Sequence, residues 1–88
     1  MRDTINDSVS VVSVYSSRKQ YFAPHTISCQ NKEYKIGEIG FHHHIKEGDV
    51  LHHVFECVDT QKSLWFRLNF DTKKLTWILE VVSDGLAS

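Results

Sequence analysis

The chain has 88 residues, enough for one domain with a modest core and too few for two. Its formal charge is −1, from ten Lys and Arg against eleven Asp and Glu, which gives no electrostatic case for gripping a phosphate backbone. A hydrophobic content of 41% with four glycines and one proline excludes linker, collagen-like and disordered sequence, and no apolar run approaches the ~20 residues of a spanning helix.

Residues 1–8 are polar and are expected to fray. Polar residues also interrupt any signal-peptide core there, so the expected location is cytoplasmic. In 9–15, Val9 and Val11 share one face and Val12 and Val14 the other. That break in alternation predicts a bulge or a strand covered on both sides. This segment is expected to cover an otherwise open apolar face. After a polar connection come Tyr21, Phe22 and Pro24. Pro24 lacks a ladder donor and belongs at a strand start or an edge.

The run from His25 to Cys29 reads as a short strand. A two-residue turn at Asn31 and Lys32 would pair Cys29 with Tyr34 and Ile27 with Ile36. The apolar parity then shifts to Ile39, Phe41 and Ile45, with Gly37 and Gly40 at the shift. One of the two is read as a bulge that curls the sheet. A tight turn at Lys46, Glu47 and Gly48 would place Ile45 opposite Asp49, His42 opposite His52 and Ile39 opposite Phe55.

The most strongly patterned stretch is 51–81. Leu64, Phe66, Leu68 and Phe70 alternate with Trp65, Arg67 and Asn69; Leu75, Trp77, Leu79 and Val81 alternate with Thr76, Ile78 and Glu80. Two four-residue polar turns are expected, Asp59 to Lys62 and Asp71 to Lys74. They would set Phe55 against Phe66, His53 against Leu68, Phe70 against Leu75 and Leu68 against Trp77. The tail at 84–88 is expected to fray. No helical period extends over ten residues. The prediction is one all-β domain over 1–88, a curved antiparallel meander of five to six strands forming a roll or partly open barrel.

Six histidines offer the first candidate chemistry. On the expected registers His42, His44 and His52 share the outer face, while His43 and His53 point to the core. Three imidazoles on adjacent strands can converge on zinc, nickel or copper, although no cysteine–histidine spacing motif accompanies them. The blander alternative is a set of solvated strand histidines. A second candidate is the outer face carrying Trp65, Arg67, Asn69 and Ile78, suited to a protein partner or, given a basic groove, to a base. Its ordinary role would be cross-strand pairing of Arg67 with Glu56 or Glu80.

Cys29 and Cys57 lie in no Cys-x-x-Cys motif and read as reduced thiols, with Cys57 inert on the apolar face. No phosphate-cradling loop or nucleophile elbow is present. The sequence therefore points to a non-catalytic module for protein interaction or self-association, without an obligate cofactor. Transition-metal binding is the first alternative and nucleic-acid binding the second. A homodimer is expected, because Val54, Val58, Trp65, Ile78 and Val82 would form an uncovered apolar patch.

Overall fold

The computed structural model describes residues 2–29, 31–61 and 64–83, with side chains from residue 6 onward. Six strands follow one another: β1 (Arg2–Ser16), β2 (Tyr21–Cys29), β3 (Lys32–Glu47), β4 (Val50–Asp59), β5 (Trp65–Asp71) and β6 (Thr76–Ser83). Each pairs antiparallel with the next, and β1 also pairs with β6, so the meander closes into a barrel. The all-β expectation holds, and the structure goes further than an open roll. Among the described residues no helix is long and apolar enough to cross a membrane.

Closure depends on β1, which is longer than its sequence pattern suggests. Its first half, from Arg2 to Val9, pairs with β6; its second half, from Ser10 to Ser16, pairs with β2. The end expected to fray is thus a strand from Arg2 onward, while 84–88 lies outside the described residues. Asn6, at φ 57, sits in the bulge where the ladder to β6 shifts. The bulge predicted near Val11 and Val12 lies one step on, opposite Pro24. Val9 and Val11 pack on the core, whereas Val12 and Val14 are exposed. β1 therefore closes the barrel as one of its staves and is not a cover laid across a face.

The core is a cluster of Ala23, Ile27, Phe55, Cys57, Phe66, Leu68, Trp77 and Leu79, all buried. Phe22 fills one end of the barrel, with its ring centroid 5.3 Å from Phe70, 5.8 Å from Trp77 and 5.9 Å from Phe55. Burial of this apolar area, at about 25 cal/mol per Å², is the main stabilising contribution.

Three expected registers move. The β2–β3 hairpin pairs Cys29 with Lys32 and Ile27 with Tyr34, so its turn falls one residue earlier than predicted, at 30–31. Asn31, at φ 65, supplies the left-handed residue; Gln30 lies outside the described residues. The β4–β5 ladder pairs Cys57 with Phe66 and Phe55 with Leu68. Asp59 is the last residue of β4 rather than a turn residue: it is buried, its N–H donates to the Leu64 carbonyl at 3.2 Å, and its Oδ1 accepts from the Leu64 N–H at 3.1 Å. The β5–β6 hairpin pairs Phe70 with Trp77, leaving Leu75 in the turn. Each of these shifts amounts to two places, so the predicted inward residues Phe66, Leu68, Trp77 and Leu79 remain inward.

Between β3 and β4 the change is larger. Glu47 pairs with Val50, Ile45 with His52, His44 with His53 and His42 with Phe55. The turn is the two residues Gly48 and Asp49, with positive φ at Gly48 alone, the arrangement that glycine favours at the first central position. Both Gly37 and Gly40 are bulge sites, since the ladder shifts between Ile36 and Glu38 and again between Ile39 and Phe41.

Candidate functional site

β3 belongs to two ladders in turn. Its first residues, Lys32 to Lys35, pair with β2; from Ile36 to Glu47 it pairs with β4. The hand-over is tight. The Lys35 carbonyl accepts from the Thr60 N–H at 2.9 Å, and a Cβ built on Gly37 would lie 2.8 Å from the Thr60 Cα and 2.9 Å from the Asp59 carbonyl oxygen. Only glycine lets the strand pass so close to the end of β4.

As β3 turns toward β4 it leaves β2 behind. Among the described residues, Tyr21 to Pro24 pair only with β1, and Gly37 to Glu47 carry no rung to β2. The seam between the two lips opens into a cleft of about 670 Å³. Phe22, Ala23, Ile36, Ile39, His42 and Phe55 line its interior. Tyr21 and Val14 stand half-exposed along the cleft, while Glu38 and His25 bring polar groups to it.

The histidines gather where this seam meets the end of the barrel. Because the Gly48–Asp49 turn and the Gly40 bulge reverse the expected parity, His42 and His44 join His53 rather than His52. One ring nitrogen from each of His42, His44 and His53 lies within 4.8 Å of the others. His42 Nε2 is 3.0 Å from His53 Nδ1, so one of the two rings donates and the other accepts. The His42 ring is stacked on Phe55 at 4.1 Å, and His53 meets the edge of Phe22 at 5.5 Å. Burial, followed by the charge of His44 nearby, lowers the pKa of both His42 and His53 from the ordinary 6.5. Both are therefore mainly neutral at pH 7.

His52, expected as the third ligand, is on the opposite face of β4. Its Nδ1 is 2.9 Å from Asn69 Oδ1 and its Nε2 is 3.3 Å from Glu47 Oε1, so both ring nitrogens face oxygen acceptors. His43, expected toward the core, also faces outward, with its ring 4.8 Å from that of Phe41.

The proposed partner face is assembled as its residues suggest, but it is tied to itself. Asn69 Nδ2 donates to Glu80 Oε2 at 2.9 Å. Arg67 Nε lies 3.4 Å from Glu80 Oε1, an ion pair without a hydrogen bond. Asn69 stands opposite Ile78, and Trp65, Arg67, Asn69 and Ile78 are all half-buried. Val54 beneath them is fully buried, and Val82 turns inward to pack on the core. The apolar patch expected to drive dimerisation is accordingly reduced.

Cys29 and Cys57 are both free thiols. Burial pushes Cys57 up to about 12, which removes it as a nucleophile at neutral pH. Sequence reasoning missed the seam because it lies between strands that are neighbours in the chain, where continuous pairing is the default expectation. The pairing of Gly37 with a parity shift was its one trace.

No family model matches this chain, and no match was found among curated proteins or solved structures.

Proposed function

We propose that this protein is a non-catalytic interaction module that takes an extended polypeptide segment into the seam between β2 and β3. The observation that carries this reading is the pair of facing strand edges, Tyr21 to Pro24 and Gly37 to His42, left unpaired beside an apolar cleft. Unpaired backbone groups at a strand edge are a template for another strand. A guest lying between the lips would satisfy both. Its alternate side chains would enter the cleft against Phe22, Ile36, Ile39 and Phe55, and the others would face water. Few charges line the cleft, so the inward residues of the guest should be apolar. The outer face at Trp65, Arg67, Asn69 and Ile78 is a weaker candidate, because its polar groups are already engaged with Glu80 and His52. Two unbridged thiols accord with a cytoplasmic setting.

Selection of random seven-residue peptides on the immobilised protein, followed by amide hydrogen exchange, tests the proposal. The expected result is peptides with alternating apolar residues that slow exchange at Tyr21 to His25 and Gly37 to His42. Tyr21→Glu, at an exposed lip position, should weaken them. Protection confined to β5 and β6 would return the partner site to the Trp65 face. A homodimer through the same edges is the rival occupant. It would appear as concentration-dependent light scattering that the selected peptides abolish.

A further inference from the structure

We propose that His42, His44 and His53 form a binding site for a single divalent transition metal of the zinc, cobalt, nickel or copper class. This proposal is independent of the seam reading, since a metal titration requires no peptide.

The three residues are brought together by the β3–β4 ladder. His44 and His53 are directly opposed, and His42 is two residues along β3 on the same face. Ring centroids are 4.6 Å apart for His44 and His53, 5.2 Å for His42 and His44, and 5.3 Å for His42 and His53. Tetrahedral nitrogen ligands at 2.0–2.1 Å from zinc lie about 3.3 Å from one another. The His42–His53 pair, at 3.0 Å, is already near that spacing. The widest separation of 4.8 Å must contract by roughly 1.5 Å to reach it. His44 is exposed, so a rotation between staggered side-chain wells can bring its ring in at small cost.

The two more constrained rings are positioned by packing. His42 lies flat on Phe55, and His53 is held among Phe22, Phe55 and Phe70. A metal would bind the lone pairs of His42 Nε2 and His53 Nδ1 once the proton between them has moved to the other nitrogen of the donating ring, which leaves both imidazoles neutral. Neutral imidazoles suit zinc, copper and nickel, while calcium and magnesium require oxygen ligands that this cluster lacks. Three protein ligands leave a fourth position for water or an external donor. The outward neighbours His43 and His52 provide internal controls, because both lie on the other face of the ladder and the His52 ring is already engaged by Asn69 and Glu47.

The experiment uses the full chain without an affinity tag. Zinc is titrated calorimetrically and by 15N chemical shifts of the imidazoles, with cobalt absorption as a second probe. The expected result is one metal per chain, with imidazole shifts at His42, His44 and His53. His44→Ala and His53→Ala should each weaken zinc by at least about tenfold, the smallest effect expected when even an outer partner of a ligand is lost. His52→Ala and His43→Ala should leave zinc affinity within error. His44 is exposed, so its variant keeps the fold, as an unchanged backbone amide spectrum would verify. Absence of binding at submillimolar zinc, equal losses from the outward histidines, or shifts centred on His25, His43 or His52 would each overturn the assignment.

Discussion

Gly37 marks the point at which the chain passes from one ladder to the next, and the space available there is set by backbone rather than side chains. A methyl group on it would meet the Thr60 Cα at 2.8 Å and the Asp59 carbonyl at 2.9 Å, and neither atom can rotate aside. Gly40, the other bulge glycine, would meet only the Glu56 carbonyl at an ordinary 3.7 Å. Gly37→Ala should therefore cost about 1–3 kcal/mol, the range for overpacking, while Gly40→Ala should change stability by less than about 1 kcal/mol. Urea unfolding of both variants checks this, and equal losses would contradict it. Asp71 makes a second local contribution. Its Oδ1 accepts from the backbone N–H of Lys74 and of Lys73, both at 2.9 Å. The Lys74 bond first, with that from Lys73 and the charges of His52 and Lys74, lowers the carboxyl pKa from its ordinary 3.8. A depressed folded pKa gives stability that is full above the unfolded pKa and is lost as pH falls through the folded one. The wild type should thus be more stable than Asp71→Asn above about pH 5, with the difference shrinking on acidification. Urea midpoints at several pH values measure it. A difference independent of pH would show that the carboxylate charge contributes nothing.

At the scale of elements, alternation disclosed the inward set of β4 and β5, and of β6 as far as Leu79, because a shift of two places in pairing leaves a side chain on its own face; past the β5–β6 register shift Val82 turns inward. Phe55, Phe66, Leu68, Trp77 and Leu79 were legible for that reason, even though their partners were not. The histidines were not legible, because their register depended on one turn. Reading Lys46 to Gly48 as the loop moved β3 by an odd number of places against β4 and exchanged its faces. The dipeptide Gly48-Asp49 held the better signal, since glycine followed by Asp, Asn or Ser marks a two-residue hairpin. Leu75 misled for a different reason. Asp71 bonds both following amides, and the Leu75 N–H donates to the Asp71 carbonyl at 2.8 Å. The chain then reverses at Leu75, which adopts φ 58 and is 72% exposed. An apolar residue in a left-handed turn is uncommon enough that alternation assigned it to the strand. The candidate metal cluster is half legible: the i, i+2 spacing points to His42 and His44, and the third member is His53 in place of His52.

For the whole molecule, the feature with the widest reach is the closing ladder between β1 and β6. Its rungs, such as Arg2 with Ser83 and Val9 with Trp77, join residues separated by most of the chain. Every other ladder is a hairpin between consecutive strands, available as soon as a short turn forms. Loop entropy penalises the long connection before any contact rewards it. The order of events follows: the β4–β5–β6 meander should assemble in the rate-limiting step, and the barrel should shut afterwards. Val9 packs on the core from the closing ladder, whereas Leu68 lies at the centre of the meander. In stopped-flow experiments Val9→Ala should mainly accelerate unfolding, and Leu68→Val should mainly slow refolding. If Val9→Ala slows refolding in proportion to its loss of stability, closure belongs to the transition state. A barrel that shuts last also spends part of its folding time with the β6 edge bare, and during that interval the β1 of another molecule can take the place of its own. Exchange of β1 between chains on refolding at high protein concentration is the hazard this topology carries.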